Sequence, residues 1–118
     1  GYTNKLPGRV GDTPLVGAGT YANNATLAYS GTGKGEIFIR TVLGHELHAR
    51  MVYKGESLTA ACDAMVFGEL KRMGGGAGLI AVGADGTIAL PFNTAGMYRG
   101  VASESEGWVS IYDEREAL

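Results

Sequence analysis

Apolar positions in the middle of the chain recur with a helical period. From Glu36, the residues Phe38, Ile39, Val42, Leu43 and Leu47 share one face at 3.6 residues per turn, and the stripe runs on toward Met51 until Lys54-Gly55 closes it. Ser57 is placed to cap a second helix, with Leu58, Ala61, Cys62, Met65, Val66 and Leu70 as its stripe and Gly74-Gly75-Gly76 as its end. The two helices are expected to be neighbours. On either side of them the period is two. Residues 25–30 alternate as a strand that Gly31-Thr32-Gly33-Lys34-Gly35 stops, and residues 15–21 read as a short strand or turn before it. Residues 79–82, an Asp85-Gly86 turn and residues 87–90 predict a hairpin, and residues 97–102 and 108–112 two more strands. Residues 1–14, with Pro7, Gly8, Gly11 and Pro14, read as an irregular loop, and Asp113-Glu114-Arg115-Glu116 as a solvated end. The order loop, strand, helix pair, antiparallel strands predicts an α+β fold in a single domain portion, residues 1–118.

Composition narrows the class. Twenty of the 118 residues are glycine, more than twice the roughly 7% of an average protein. They follow no three-residue period, and with 45% hydrophobic and 19% charged residues the chain is neither collagenous nor disordered. Ten Lys and Arg against twelve Asp and Glu leave a net charge of -2, so no basic field exists to hold nucleic acid. Cys62 is the only cysteine, which excludes an internal disulfide framework and a multi-cysteine metal site, and fits a reducing, cytoplasmic setting. No apolar run approaches the ~20 residues that span a bilayer, and the first residues show no signal segment, so a soluble protein without a membrane partner is expected.

Several motifs invite chemistry. Gly17-Ala18-Gly19-Thr20-Tyr21-Ala22 has the letters of a dinucleotide fingerprint, but it should open a helix, and here a turn and a strand follow. Gly33-Lys34 lacks the hydroxyl residue and the earlier glycine of a phosphate-binding loop. What remains at residues 31–36 is a strand, a glycine loop and a helix start, read either as a tight turn or as backbone N–H groups facing an oxyanion or carboxylate. His45 and His48 stand three apart, one short of the zinc-protease spacing, and Glu46, His48 and Arg50 read as a mixed solvated face. Cys62 lies on the apolar stripe and reads as a small core residue. No metal or other cofactor is called for. Arg9 and Asp12, three residues apart on a glycine-flexed loop, complement a free amino acid: the guanidinium forks onto a carboxylate and the carboxylate receives an ammonium. The other reading of that pair, which spacing alone favours, is an exposed salt bridge worth under about 1 kcal/mol.

Taken together, residues 3–12 (Thr3-Asn4-Lys5-Leu6-Pro7-Gly8-Arg9-Val10-Gly11-Asp12), Gly17 to Ala22, Gly31-Thr32-Gly33-Lys34-Gly35-Glu36 and residues 91–99 (Pro91-Phe92-Asn93-Thr94-Ala95-Gly96-Met97-Tyr98-Arg99) resemble the β-subunit of the plant-type L-asparaginase, or isoaspartyl peptidase, family. The resemblance covers nearly the whole chain in order. It implies an N-terminal nucleophile hydrolase with an αββα sandwich, cut by autoproteolysis so that the β-subunit begins with a threonine. That threonine attacks L-asparagine or an isoaspartyl dipeptide and releases L-aspartate.

Carried over to this chain, the resemblance implies that Arg9 binds the substrate α-carboxylate and Asp12 its α-ammonium. Thr32 with the backbone N–H of Gly33 would form the oxyanion hole, and Gly35 would face the substrate. Lys34 stands where relatives often have threonine. Gly1 is no nucleophile and matches the last glycine of a Ser-Thr-Gly-Gly segment, so this chain is expected to be most of a β-subunit without its first strand. Implied partners are that missing part, an α-subunit from the same precursor, and a second such pair making a heterotetramer. The rival expectation is a noncatalytic amino-acid-binding or structural subunit. Glycosylasparaginase-like substrates remain a further alternative.

Overall fold

A computed structural model describes residues 5–118. Strands β1 (Thr20–Ala22), β2 (Leu27–Gly33), β3 (Ala77–Gly83) and β4 (Ile88–Ala89) pair antiparallel in that order. Between β2 and β3 run the helices α1 (Gly35–Thr41), α2 (Leu43–Tyr53) and α3 (Leu58–Asp63), which continues through a π-helical turn (Ala64–Glu69) into α4 (Leu70–Arg72). Strands β5 (Arg99–Ala102), β6 (Gly107–Ser110) and β7 (Glu116–Ala117) form a second antiparallel sheet. The α+β reading holds.

The β2–β3 ladder is the spine, in register from Leu27 opposite Gly83 to Gly33 opposite Ala77. Alternation along the two strands turns Leu27, Tyr29, Leu79 and Ala81 to one face, where they bury against Phe38, Leu43, Leu47, Met65 and Leu70 of the helices. Each large apolar side chain enclosed there contributes about 1.5–3 kcal/mol relative to exposure. On the other face Ile80, Val82 and Ile88 stay half exposed.

The single helix expected from Glu36 to Met51 is two. It breaks at Val42, whose φ of 48° and ψ of 51° are left-handed. The break lets backbone cap α2, since His45 N–H donates to the Gly17 carbonyl at 3.1 Å and Gly44 N–H to that of Ala18 at 3.4 Å. It also lays α2 close on the sheet, where a Cβ on Gly44 would stand 2.6 Å from the Tyr21 Cβ. The second helix behaves as read. Ser57 Oγ accepts from Ala60 N–H at 3.1 Å, and α3 packs beside α2.

The hairpin forms as read too, with Asp85 Oδ1 accepting from Thr87 N–H at 2.9 Å. The charged tail is not merely solvated. Glu116 and Ala117 add to the edge of β6, and the Arg115 guanidinium lies 4.2 Å over the Trp108 ring, whose face holds the cation.

Candidate active site

Asp12 is 8% exposed, although it sits on a loop. That loop turns back on itself, Leu15 N–H donating to the Asp12 carbonyl at 2.9 Å and Ala18 N–H to the Leu15 carbonyl at 3.0 Å. The carboxylate is thereby lodged between two glycines of other segments. A Cβ on Gly19 would stand 2.5 Å from Oδ2, and one on Gly35, the first residue of α1, would overlap Oδ1. Only residues without a side chain leave this space. Arg9 occupies the exposed stretch three residues earlier, its Nη1 3.2 Å from where a Cβ on Gly11 would be.

The expected strand and helix start are both present, but Gly31-Thr32-Gly33 does not stop the strand: it pairs with β3 as far as Gly33 opposite Ala77, and α1 opens at Gly35, so the expected five-residue glycine loop narrows to the single residue Lys34. Strand β2 ends at Gly33, whose φ of 130° suits glycine alone and where a Cβ would overlap the Gly76 carbonyl oxygen. That oxygen accepts from Lys34 N–H at 3.0 Å, which fixes the loop to the run of glycines after α4. The glycines at 74–78 thus do more than end a helix. The Lys34 side chain turns toward Glu36, Nζ to Oε1 3.9 Å, while its backbone N–H makes the bond to Gly76. Thr32 and Gly33 line a cavity of about 460 Å³ together with Gly76, Gly78, Thr94 and Met97. Arg9, Asp12 and Gly35 lie outside that cavity's lining. The structure therefore brings Asp12 directly against Gly35 and sets Thr32 and Gly33 just before Gly35 in the chain, with Arg9 on the exposed stretch three residues before Asp12.

Asn93 was visible in the sequence only as part of a motif, with no role attached. Its side chain accepts from Ala77 N–H at 2.8 Å and donates to the carbonyls of Val66 at 2.8 Å and Gly75 at 3.2 Å. It braces the segment against which the Gly33 loop rests. A local sequence signal for this does not exist, because the carbonyl of Val66 is open to Asn93 only where the helix takes its π-helical turn.

Two buried polar atoms in this region have no hydrogen-bond partner among the described residues, Asp12 Oδ2 and the Tyr29 hydroxyl. A group left so costs about 1–3 kcal/mol. Burial first, then the charge of Asp12 and that of Cys62, pushes the ionisation of Tyr29 above the usual phenol range. Burial, with the nearby Asp63 charge, pushes the Cys62 thiol up to about 12, in keeping with a packed core residue. His48 is not on a solvated face: it is half-buried, and its Nδ1 shares a 2.7 Å hydrogen bond with Thr26 Oγ1. Arg50 is likewise drawn in between Glu46 at 3.1 Å and Glu56 at 3.2 Å.

Comparison with known proteins decides the family, since a family model described as asparaginase matches residues 1–111. The chain belongs to the asparaginase family. Among the relatives of this asparaginase-family chain, the isoaspartyl peptidase of Salmonella typhimurium is 60% identical over 99 residues, which are 84% of this chain and 32% of the relative. That of Escherichia coli is 59% identical over 99 residues, 84% of this chain and 31% of the relative. The plant-type L-asparaginase of Pyrobaculum calidifontis is 42% identical over 103 residues, 86% of this chain and 34% of the relative. The resemblance carried by the glycine and Arg9-Asp12 motifs is borne out, and the chain spans about a third of the length of the curated relatives it matches. Among the described residues of the asparaginase-family chain, no helix is long and apolar enough to cross a membrane.

Proposed function

We propose that this chain supplies the substrate clamp and oxyanion hole of a threonine-dependent amidohydrolase that cleaves isoaspartyl dipeptides and L-asparagine to release L-aspartate. The observation that carries the reading is the Asp12 carboxylate seated against Gly35, just past the Thr32-Gly33 strand end. In this reading the Arg9 guanidinium forks onto the substrate α-carboxylate and Asp12 takes the α-ammonium. The amide carbon is thereby held for a threonine hydroxyl contributed by sequence outside this chain, whose own α-amine accepts the proton. Thr32 and the Gly33 N–H receive the oxyanion, a preorganised pair worth about 3 kcal/mol per donor in the transition state. The amine leaves with the proton, and water then cleaves the aspartyl ester to free L-aspartate and regenerate the threonine.

The same reading makes residues 1–118 a portion of one N-terminal nucleophile hydrolase domain. Its sheet with one helical layer would supply part of an αββα sandwich completed by the rest of the β-subunit and an α-subunit from the same autoproteolysed precursor. Dimers of such pairs would work in the cytoplasm. A chain spanning a third of its relatives supports the need for those further parts.

The test uses the natural full-length protein with isoaspartyl-leucine, L-asparagine and a glycosylasparagine as substrates. Hydrolysis of the first two is expected, with most of kcat/KM lost in Arg9→Ala. Near-normal kcat/KM in that variant would overturn the role of Arg9, and hydrolysis of none of the three would leave the noncatalytic subunit as the better reading.

A further inference from the structure

Two buried polar atoms without a hydrogen-bond partner among the described residues lie against neighbouring glycines of the first two strands, and their chemistry is complementary. Tyr29 is 4% exposed and Asp12 8%, so neither can complete its hydrogen bonding from bulk water. Both approach the same rung of the β1–β2 sheet. Gly31 N–H donates to the Gly19 carbonyl at 2.9 Å, so the two glycines are neighbours across the strands. The Asp12 Oδ2 lies 2.5 Å from a Cβ position on Gly19, and the Tyr29 hydroxyl overlaps a Cβ position on Gly31. Alternation places Gly31 on the same inward face as Tyr29, two residues before it. Among the described residues one atom is a donor without an acceptor and the other an acceptor without a donor.

We propose that Tyr29 is a positioning residue for Asp12, its hydroxyl donating to Oδ2 and leaving Oδ1, on the Gly35 side, to receive the substrate ammonium. The inference rests on Asp12 being the ammonium acceptor, as put forward above. The hydroxyl would reach the carboxylate directly on rotation of Asp12 or through one enclosed water. Burial and the charge of Asp12 keep the phenol protonated, so the donor is present throughout the working pH range. Glycine at 31 is then required by function as well as packing, because any side chain there would occupy the place of the hydroxyl.

Tyr29→Phe keeps the ring and removes only the donor. In the natural full-length protein it is compared with Asp12→Asn on two substrates, isoaspartyl-leucine and the matching succinyl-leucine, which lacks the α-amine. The expected result for Tyr29→Phe is a KM for isoaspartyl-leucine raised about tenfold, the order a hydrogen bond to a charged group commands. Its kcat should change much less, and its preference for the amine-bearing substrate should fall by the same factor. The preference is a ratio measured on whatever folds, so it stands even if the yield drops. If Asp12→Asn loses the preference while Tyr29→Phe retains it, the positioning role is overturned and the clamp survives. If Asp12→Asn retains the preference, the ammonium reading itself falls and the inference with it.

Discussion

The side-chain amide of Asn93 donates to the Val66 carbonyl at 2.8 Å, tying the π-helical turn to the segment that follows β4. The same side chain holds Ala77 N–H and the Gly75 carbonyl. Between those two residues lies Gly76, whose carbonyl receives Lys34 N–H. A single amide therefore connects the helical layer, the glycine run and the loop after β2.

Asn93→Ala leaves the Val66 carbonyl and the Ala77 N–H to find other partners, a loss of about 1–3 kcal/mol. The melting temperature should fall by several degrees. Because the Gly33 loop rests on this segment, kcat should fall as well, more than KM rises. Thermal unfolding and steady-state kinetics on the natural full-length protein check both; a stability loss with unchanged kcat would show that the brace does not reach the loop.

Thr32→Ala addresses the proposed oxyanion hole. Removing one preorganised donor should lower kcat by roughly a hundredfold or more with KM little changed. Thr32 is exposed at the strand end, so the melting temperature should stay near that of the parent. Equal losses in kcat and stability would point to a structural part for the hydroxyl.

Val42→Gly should raise the melting temperature. A β-branched residue at φ 48° stores strain of about 1–2 kcal/mol, which glycine does not incur. Val42→Ala keeps a Cβ in the left-handed region and should bring little of that gain. Differential scanning calorimetry of the two variants separates relief of strain from simple loss of an exposed apolar side chain.

Stability should decline above about pH 9. The native Cys62 thiol is pushed up to about 12 by burial, whereas an unfolded thiol ionises near pH 8.5. Between those values the unfolded chain has lost a proton that the native chain keeps, so stability present below pH 8.5 is lost as pH rises toward 12. Tyr29, raised in the native state, acts in the same direction above the usual phenol range. Urea midpoints from pH 7 to 10.5 check the slope, which should lessen in Cys62→Ala. The native thiol should also resist alkylation until the protein is unfolded.

These residues also show where sequence was sufficient. The Ser57 cap, the Asp85-Gly86 hairpin and the passage from strand to helix near residue 34 were legible because each depends on neighbours within a few positions, whereas the strand's continuation through Gly31 and Gly33 was hidden because it depends on the remote β3 ladder. The break at Val42 was hidden, since Leu43 and Leu47 keep the helical period across it and its cause is the remote pair of carbonyls at Gly17 and Ala18. The seat of Asp12 was hidden for the same reason. Gly19 and Gly35 are separated from it in sequence and brought to it only by the fold, so spacing showed Arg9 beside Asp12 but not the cradle. Tyr29 read as one more inward strand residue, and its unpartnered hydroxyl is a property of packing alone.

A crystal structure of the natural full-length protein soaked with L-aspartate tests the clamp most directly. The α-carboxylate should lie forked on the Arg9 guanidinium, the α-ammonium within hydrogen-bond distance of the Asp12 carboxylate, and the side-chain carboxyl toward Thr32 and the Gly33 N–H. L-aspartate bound with its α-carboxylate away from Arg9 and its ammonium away from Asp12 would contradict it.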